Sequence, residues 1–96
     1  MKQIDWSKYT LFQQNVYRAI MKIPKGRVLT YAQVARKIGQ PKASRAVGNA
    51  LAKNQDAPYI PCHRVIGSDG SMRGYSATGG LKRKLALLRK EGYDPK

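Results

Sequence analysis

Two breaks, Pro24-Lys25-Gly26 and Gly39-Gln40-Pro41, confine the first half of the chain to short elements. Proline removes a backbone donor and glycine leaves the helical region at low cost, so no long helix or strand passes through either point. From Thr10, the apolar residues Phe12, Val16 and Ile20, with Tyr17 and Met21 beside them, recur at helical spacing and predict a first helix that stops before Pro24. Arg27-Val28-Leu29 fits a short extended piece. Thr30 then opens a second helix with a capping box, its hydroxyl placed to accept from the backbone of Gln33 while the Gln33 side chain reaches back. Tyr31, Val34, Ala35 and Ile38 supply its apolar face, and Gly39 suits its C-terminal cap. A third helix runs from about Ala43 to Lys53, burying Ala43, Val47, Ala50 and Leu51 and placing Ser44, Arg45, Asn49 and Lys53 elsewhere around it. Two short helices joined by a Gly-containing turn, the second one basic, read as a helix-turn-helix, a pattern shared by many helix pairs that touch no DNA.

The second half is looser. Gln55 to Pro58 reads as a loop, Tyr59 to Ile66 as an extended segment, Gly67 to Ser71 as a turn, and Gly74 to Gly80 as a Gly/Ser/Thr-rich loop. A final helix from about Leu81 to Glu91 puts Leu81, Leu85 and Leu88 on one face, with Gly92 ending it. Its other face carries Lys82, Arg83, Lys84, Arg89 and Lys90 and reads as solvated surface. Residues 1–8 show no pattern and are expected to be a lead-in. With 96 residues and no repeats, the expectation is one domain over 1–96. Its predicted class is mainly α: a small helical domain with a helix-turn-helix, winged-helix-like, and short extended segments.

Lys and Arg number 19 against 5 acids, a net charge of +14. Such an excess repels itself in a compact state and attracts polyanions, so nucleic acid is the expected partner, against a merely solubilising surface or a ribosomal-type RNA binder. No segment is apolar enough to cross a bilayer, and the first residues lack the apolar stretch of a secretory signal. A cytoplasmic, DNA-associated location is expected (nuclear in a eukaryote). With one cysteine and one histidine, a disulfide within the chain and a multi-cysteine zinc site are excluded, and a metal would have to recruit carboxylates from an acid-poor chain. No metal and no cofactor is expected.

The single histidine directly follows the single cysteine, in Pro61-Cys62-His63-Arg64. A reactive thiol needs a base or a cation to favour its thiolate, and His63 and Arg64 are residues of those kinds. In a regular strand, however, neighbouring side chains point to opposite faces, so Cys62 and His63 could not touch. Either the backbone turns here or a water carries the proton, and Pro61 is compatible with both. On this spacing alone, a buried inert Cys beside a surface His remains open.

The octet Ile60-Pro61-Cys62-His63-Arg64-Val65-Ile66-Gly67 resembles the active-site signature of the O6-alkylguanine-DNA alkyltransferases. The similarity extends to Gly26-Arg27-Val28-Leu29-Thr30-Tyr31, to Ser44 through Leu51, and through Gly70, Gly74-Tyr75-Ser76 and Gly79-Gly80-Leu81 to Lys90-Glu91-Gly92. It covers about residues 11 to 92. The resemblance implies a DNA-repair protein that moves an alkyl group irreversibly from guanine O6 to Cys62, with His63 activating the thiol through a water and Glu91 orienting His63. It further implies that Arg45 enters the duplex in place of the flipped nucleotide, that Tyr31 crowds the rotated phosphate and can donate to the base, and that Asn54 braces the loop before Cys62. Lys42, Ser44, Asn49 and Arg64 join Arg45 and Tyr31 as expected DNA contacts. Pro61 joins Tyr75 and Ser76 around the base. The implied partner is double-stranded DNA containing O6-alkylguanine, bound through its minor groove by a monomer. A base inside a duplex cannot present O6 to a thiol, which is the physical reason for extruding it.

Several positions depart from the family's pattern. Members usually carry an N-terminal domain, for which this chain leaves no room. Ala57 stands where many have proline, Ala77 and Thr78 lengthen the loop after Ser76, and Leu85 replaces a frequent Trp. Similarly short alkyltransferase-like proteins bind alkylated DNA without repairing it, but typically hold Trp or Ala at the position of Cys62. A sequence-reading transcription factor or nucleoid-type protein fits less well, because Ala43, Ala46, Gly48 and Ala50 favour close approach to DNA over base readout.

Overall fold

The computed structural model describes residues 3–56, 59–67 and 80–93. A one-turn 3₁₀ helix, Trp6–Lys8, precedes α1 (Leu11–Ile20), β1 (Leu29–Thr30), α2 (Tyr31–Lys37) and α3 (Ser44–Ala52). A second 3₁₀ turn, Cys62–Arg64, leads into β2 (Val65–Ile66), and α4 (Gly80–Lys90) closes the described chain. The two strands pair in parallel, Leu29 with Val65 and Thr30 with Ile66. This short ladder ties the three-helix half to the segment that carries Cys62.

The helix starts and stops follow local chemistry. Thr30 accepts from the Gln33 backbone at 3.1 Å and the Gln33 side chain accepts from Thr30 at 2.8 Å, the capping box read from the sequence. Thr10 and Gln13 make a second box of the same kind at the head of α1. At the far end of α2, Gly39 takes φ +78 and the Gln40 amide donates to Ala35, a Schellman ending. Between these caps, Val16, Tyr17 and Ile20 of α1 pack on Val34 and Ala35 of α2 and on Val47, Ala50 and Leu51 of α3, all of them buried. Each valine, leucine or isoleucine among them contributes roughly 1.5–3 kcal/mol through burial. The Tyr17 hydroxyl donates to the Ala50 carbonyl across this core.

Three expectations are corrected. The lead-in is ordered from Asp5 onward: the Asp5 side chain caps the Trp6–Lys8 turn, and buried Tyr9 stacks edge-on against Tyr17 at 4.7 Å. The predicted extended segment Tyr59–Ile66 is extended only at its end. Pro61 sits at φ −83, ψ 64, and the Cys62 amide donates to the Ile60 carbonyl at 2.8 Å. That is an inverse γ-turn, which a proline-fixed φ favours. The solvated face expected on α4 is interrupted by Lys84, which is 1% exposed. The expected turn and loop after Gly67, together with Ala57, Tyr75 and Ser76, lie outside the described residues. No helix among the described residues is long and apolar enough to cross a membrane.

The turn before β1 comes close to the end of α4. Gly26 has φ +85, and a Cβ there would lie 3.1 Å from the Glu91 carbonyl oxygen. Both the dihedral and the contact with backbone demand glycine. Gly26→Ala is therefore expected to cost about 1–3 kcal/mol of stability, read as a lower midpoint in urea or thermal unfolding. An unchanged midpoint would contradict this role for the turn.

Candidate active site

The inverse γ-turn at Pro61 aims the chain into the 3₁₀ turn Cys62–Arg64, closed by the Arg64 amide donating to the Pro61 carbonyl at 2.9 Å. With about three residues per turn, neighbouring side chains diverge by about 120° and do not face opposite ways. The backbone turn thus removes the strand-geometry objection to Cys62 and His63 acting together. Cys62 is buried, and burial pushes its thiol above the ordinary value. Hydrogen bonding from Asn54 and the charge of Lys84 oppose that rise. A thiol held this way rests protonated and needs a base when it reacts.

His63 is 1% exposed. Its Nε2 lies 3.1 Å from Glu91 Oε2. Burial lowers the ring below the ordinary histidine value more than the carboxylate raises it, so the imidazole rests neutral. Arg64 meets the same carboxylate as a fork, Nε to Oε1 at 2.9 Å and one terminal nitrogen to Oε2 at 2.6 Å. Its other terminal nitrogen donates to the Ile23 carbonyl at 2.7 Å, in the turn that follows α1. Glu91 is consequently held down at about 2, chiefly by Arg64 and then by His63. The carboxylate is placed there by the Schellman ending of α4, in which Gly92 takes φ +91 and the Tyr93 amide donates to Leu88 at 2.9 Å.

Asn54 sits in the loop after α3. Its side-chain nitrogen donates to the Ile60 carbonyl at 2.8 Å, and its oxygen accepts from the Asp56 amide at 2.8 Å. Buried Asp56 accepts from the Tyr9 hydroxyl and pairs with Lys8 at 3.1 Å, while the Tyr9 oxygen accepts from the Gln55 amide at 3.0 Å. Burial, and after it the bond to Asp56, pushes the Tyr9 phenol up to about 12. The N-terminal turn thereby fastens the loop on which Asn54 stands.

The DNA-facing candidates divide. Lys42, Arg45 and Asn49 are exposed on and just before α3, and Ser44 is half-buried at its first position. Tyr31 begins α2, half-buried, with its ring beside Gly48, where a Cβ would lie 3.9 Å from it. The guanidinium of Arg64 is engaged by the Glu91 carboxylate and the Ile23 carbonyl. Pro61 is buried beside Cys62, and Tyr75 and Ser76 lie outside the described residues.

Lys84 is the residue that sequence reading missed. Its ammonium donates to the Val65 carbonyl at 2.7 Å, and burial lowers it from 10.5 to about 8. The signal was its spacing: Lys84, Leu88 and Glu91 fall on one helical face, four and three residues apart. Leu88 was read on the apolar face, but Lys84, being charged, was assigned to the solvated one. The cation that favours the Cys62 thiolate is Lys84, where the sequence had suggested Arg64.

Residues 11–93 match the family model described as 6-O-methylguanine DNA methyltransferase, DNA binding domain. The chain is 49% identical over 84 residues to a methylated-DNA–protein-cysteine methyltransferase of Shigella flexneri, covering 88% of this chain and 48% of that protein. It thus spans about half the length of the curated relatives it matches. Its structure is similar to that of Mycobacterium tuberculosis OGT in complex with DNA, with TM-score 0.82, 48% identity and coverage of 86% of this chain and 50% of that one. It is also similar to S. pombe Atl1 in complex with damaged DNA containing O6-carboxymethylguanine, with TM-score 0.77, 33% identity and coverage of 97% and 82%.

Replacing Lys84 tests the reading of the thiol's surroundings. Lys84→Met is expected to slow iodoacetamide alkylation of Cys62 at neutral pH, roughly threefold to tenfold. Relative to this variant, the parent protein is expected to gain stability as pH rises from about 8 towards 10.5. In that window the unfolded chain holds the lysine proton and the folded chain has released it, so stability increases with pH. Equal alkylation rates and parallel stability curves would contradict the placement.

Proposed function

Since the chain belongs to the 6-O-methylguanine DNA methyltransferase family through its DNA-binding domain, we propose that it repairs O6-alkylguanine in DNA by taking the alkyl group onto Cys62. The observation that carries this reading is the presence together of a buried thiol, a neutral imidazole and an ionised carboxylate, Cys62, His63 and Glu91. Glu91 accepts from the Nε2–H of His63, which leaves the lone pair on Nδ1. A water between Nδ1 and the thiol carries the Cys62 proton to the ring as attack begins. The sulfur–carbon bond forms while the bond from carbon to O6 breaks. Its electron pair stays on the guanine, which takes up a proton from the Tyr31 phenol or from water. The thioether product has no route back, so each chain reacts once.

A duplex must open for this to happen. Arg45, exposed on α3 amid Ala46 and Gly48, is the side chain that fills the stack, and Tyr31 is the one that crowds the rotated phosphate. Lys42, Ser44 and Asn49 hold the flanking backbone, Asn54 braces the Cys62 loop, and Pro61, Tyr75 and Ser76 border the base. DNA binds through its minor groove to a monomer. The charge excess and the DNA complexes of the similar structures support the binding of DNA itself.

One finding favours a second reading. The structure is also similar to that of S. pombe Atl1 bound to damaged DNA containing O6-carboxymethylguanine. On this reading the chain binds the lesion and leaves it intact, flagging it for another repair route.

Incubation with duplex containing O6-methylguanine is expected to add one methyl group to the Cys62 peptide by mass spectrometry. Tight binding with an unmodified peptide would instead establish the second reading. Transfer is expected to hold level through neutral pH and to decline as pH falls below the ordinary imidazole value of 6.5, because His63 lies lower still and accepts a proton only when neutral. Arg45→Ala is expected to slow repair of duplex by at least about tenfold and to affect reaction with free alkylguanine base much less. Equal losses on the two substrates count against its role in the stack.

A further inference from the structure

The relay just described uses Glu91 to orient His63, yet an ionised carboxylate against a buried imidazole tends to draw a second proton onto the ring. A ring already protonated at rest could not accept from the thiol. We propose that Arg64 is a positioning residue that resolves this conflict: its fork fixes Glu91 and takes up most of that carboxylate's charge, so that Glu91 aims the His63 ring without protonating it.

The geometry is specific to arginine. Nε and one terminal nitrogen bind the two carboxylate oxygens at 2.9 and 2.6 Å, while the remaining nitrogen is anchored on the Ile23 carbonyl at 2.7 Å. His63 approaches Oε2 at the longer distance of 3.1 Å. Arg64 therefore has the larger share of the carboxylate, and His63 takes an orienting bond from what is left. A lysine would supply the charge but not the fork. Adjacent positions on a single 3₁₀ turn bring both side chains to one acceptor, which an extended strand would have prevented.

Among the described residues, Cys62 and Arg64 share the turn of His63, α4 with its C-terminal cap contributes Lys84 and Glu91, and α1 packs against the same turn. Arg64 and Lys84 both oppose protonation of the ring, and Glu91 alone among them favours it. Removing Arg64 deletes one opposing charge and releases Glu91 to act fully on His63. Both changes raise the ring's proton affinity.

The proposal rests on the relay reading above, and its test is independent of alkyl transfer. The His63 ring is followed by NMR against pH in the full chain without DNA. In the parent protein the ring is expected to stay neutral through pH 7, and a ring protonated there overturns the proposal whatever the variants do. In Arg64→Met the midpoint is expected to move upward. In Arg64→Met/Glu91→Gln it is expected to return to the parent value or below. Reaction of Cys62 with iodoacetamide should lose rate on the acid side at a higher pH in Arg64→Met than in the parent. A midpoint that does not rise in folded Arg64→Met, or that stays raised in the double variant, overturns the proposal. Failure of methyl transfer with these titrations intact would count against the relay reading and not against the role of Arg64.

Discussion

One carboxylate organises the site. Glu91 receives the fork of Arg64 and the ring of His63, and its low proton affinity follows from those donors. It stands where a left-handed Gly92 ends α4, and its backbone carbonyl lies against the Gly26 turn. Through Arg64 the same cluster reaches the Ile23 carbonyl in the turn after α1. Three separate parts of the chain are thereby joined at one anion. A buried charge is tolerated only where its donors are this well arranged.

The thiol sets the opposite requirement. Burial shields Cys62 and disfavours its thiolate, so reactivity depends on polar groups brought to it by the fold. Asn54 comes from the loop after α3, itself tied to the N-terminal turn through Asp56 and Tyr9. Lys84 comes from α4 and is held by the strand that follows Cys62. The desolvation that lowers the lysine and raises the thiol is the same dry environment acting on groups of opposite sign. Partial compensation between them leaves a thiol that is protected at rest and still within reach of a base.

Much of the fold was legible because its rules are local. The capping box at Thr30, the Schellman glycine at Gly39 and the stripes of α2 and α3 each depend on residues within a few positions of one another. The box at Thr10 used the same Thr-x-x-Gln spacing and passed unread. What local pattern missed was the set of polar residues placed inward. Lys84 and Glu91 share the buried face of α4 with Leu88, and a hydrophobic-stripe reading puts charged residues outside. The γ-turn at Pro61 was hidden for another reason: Ile60, Val65 and Ile66 are strong strand formers, and their flanking pattern masked a bend that only the Pro61 dihedral creates. Of the site, Cys62, His63 and Glu91 were named from a resemblance, and the structure brings His63 and Glu91 into contact and sets Cys62 beside His63 on one turn. The fork of Arg64 on Glu91 was not legible, because sequence neighbours of a thiol need not point at it.

Under the proposed function Cys62 is a consumed acceptor and not a surface that merely holds the lesion. The most direct measurement is a titration of duplex containing O6-methylguanine with increasing protein, scoring lesions lost per chain at completion. Loss is expected to stop at one lesion per protein chain and to be absent in Cys62→Ser. A lesion that persists under excess protein, or loss that continues beyond one per chain, would contradict it.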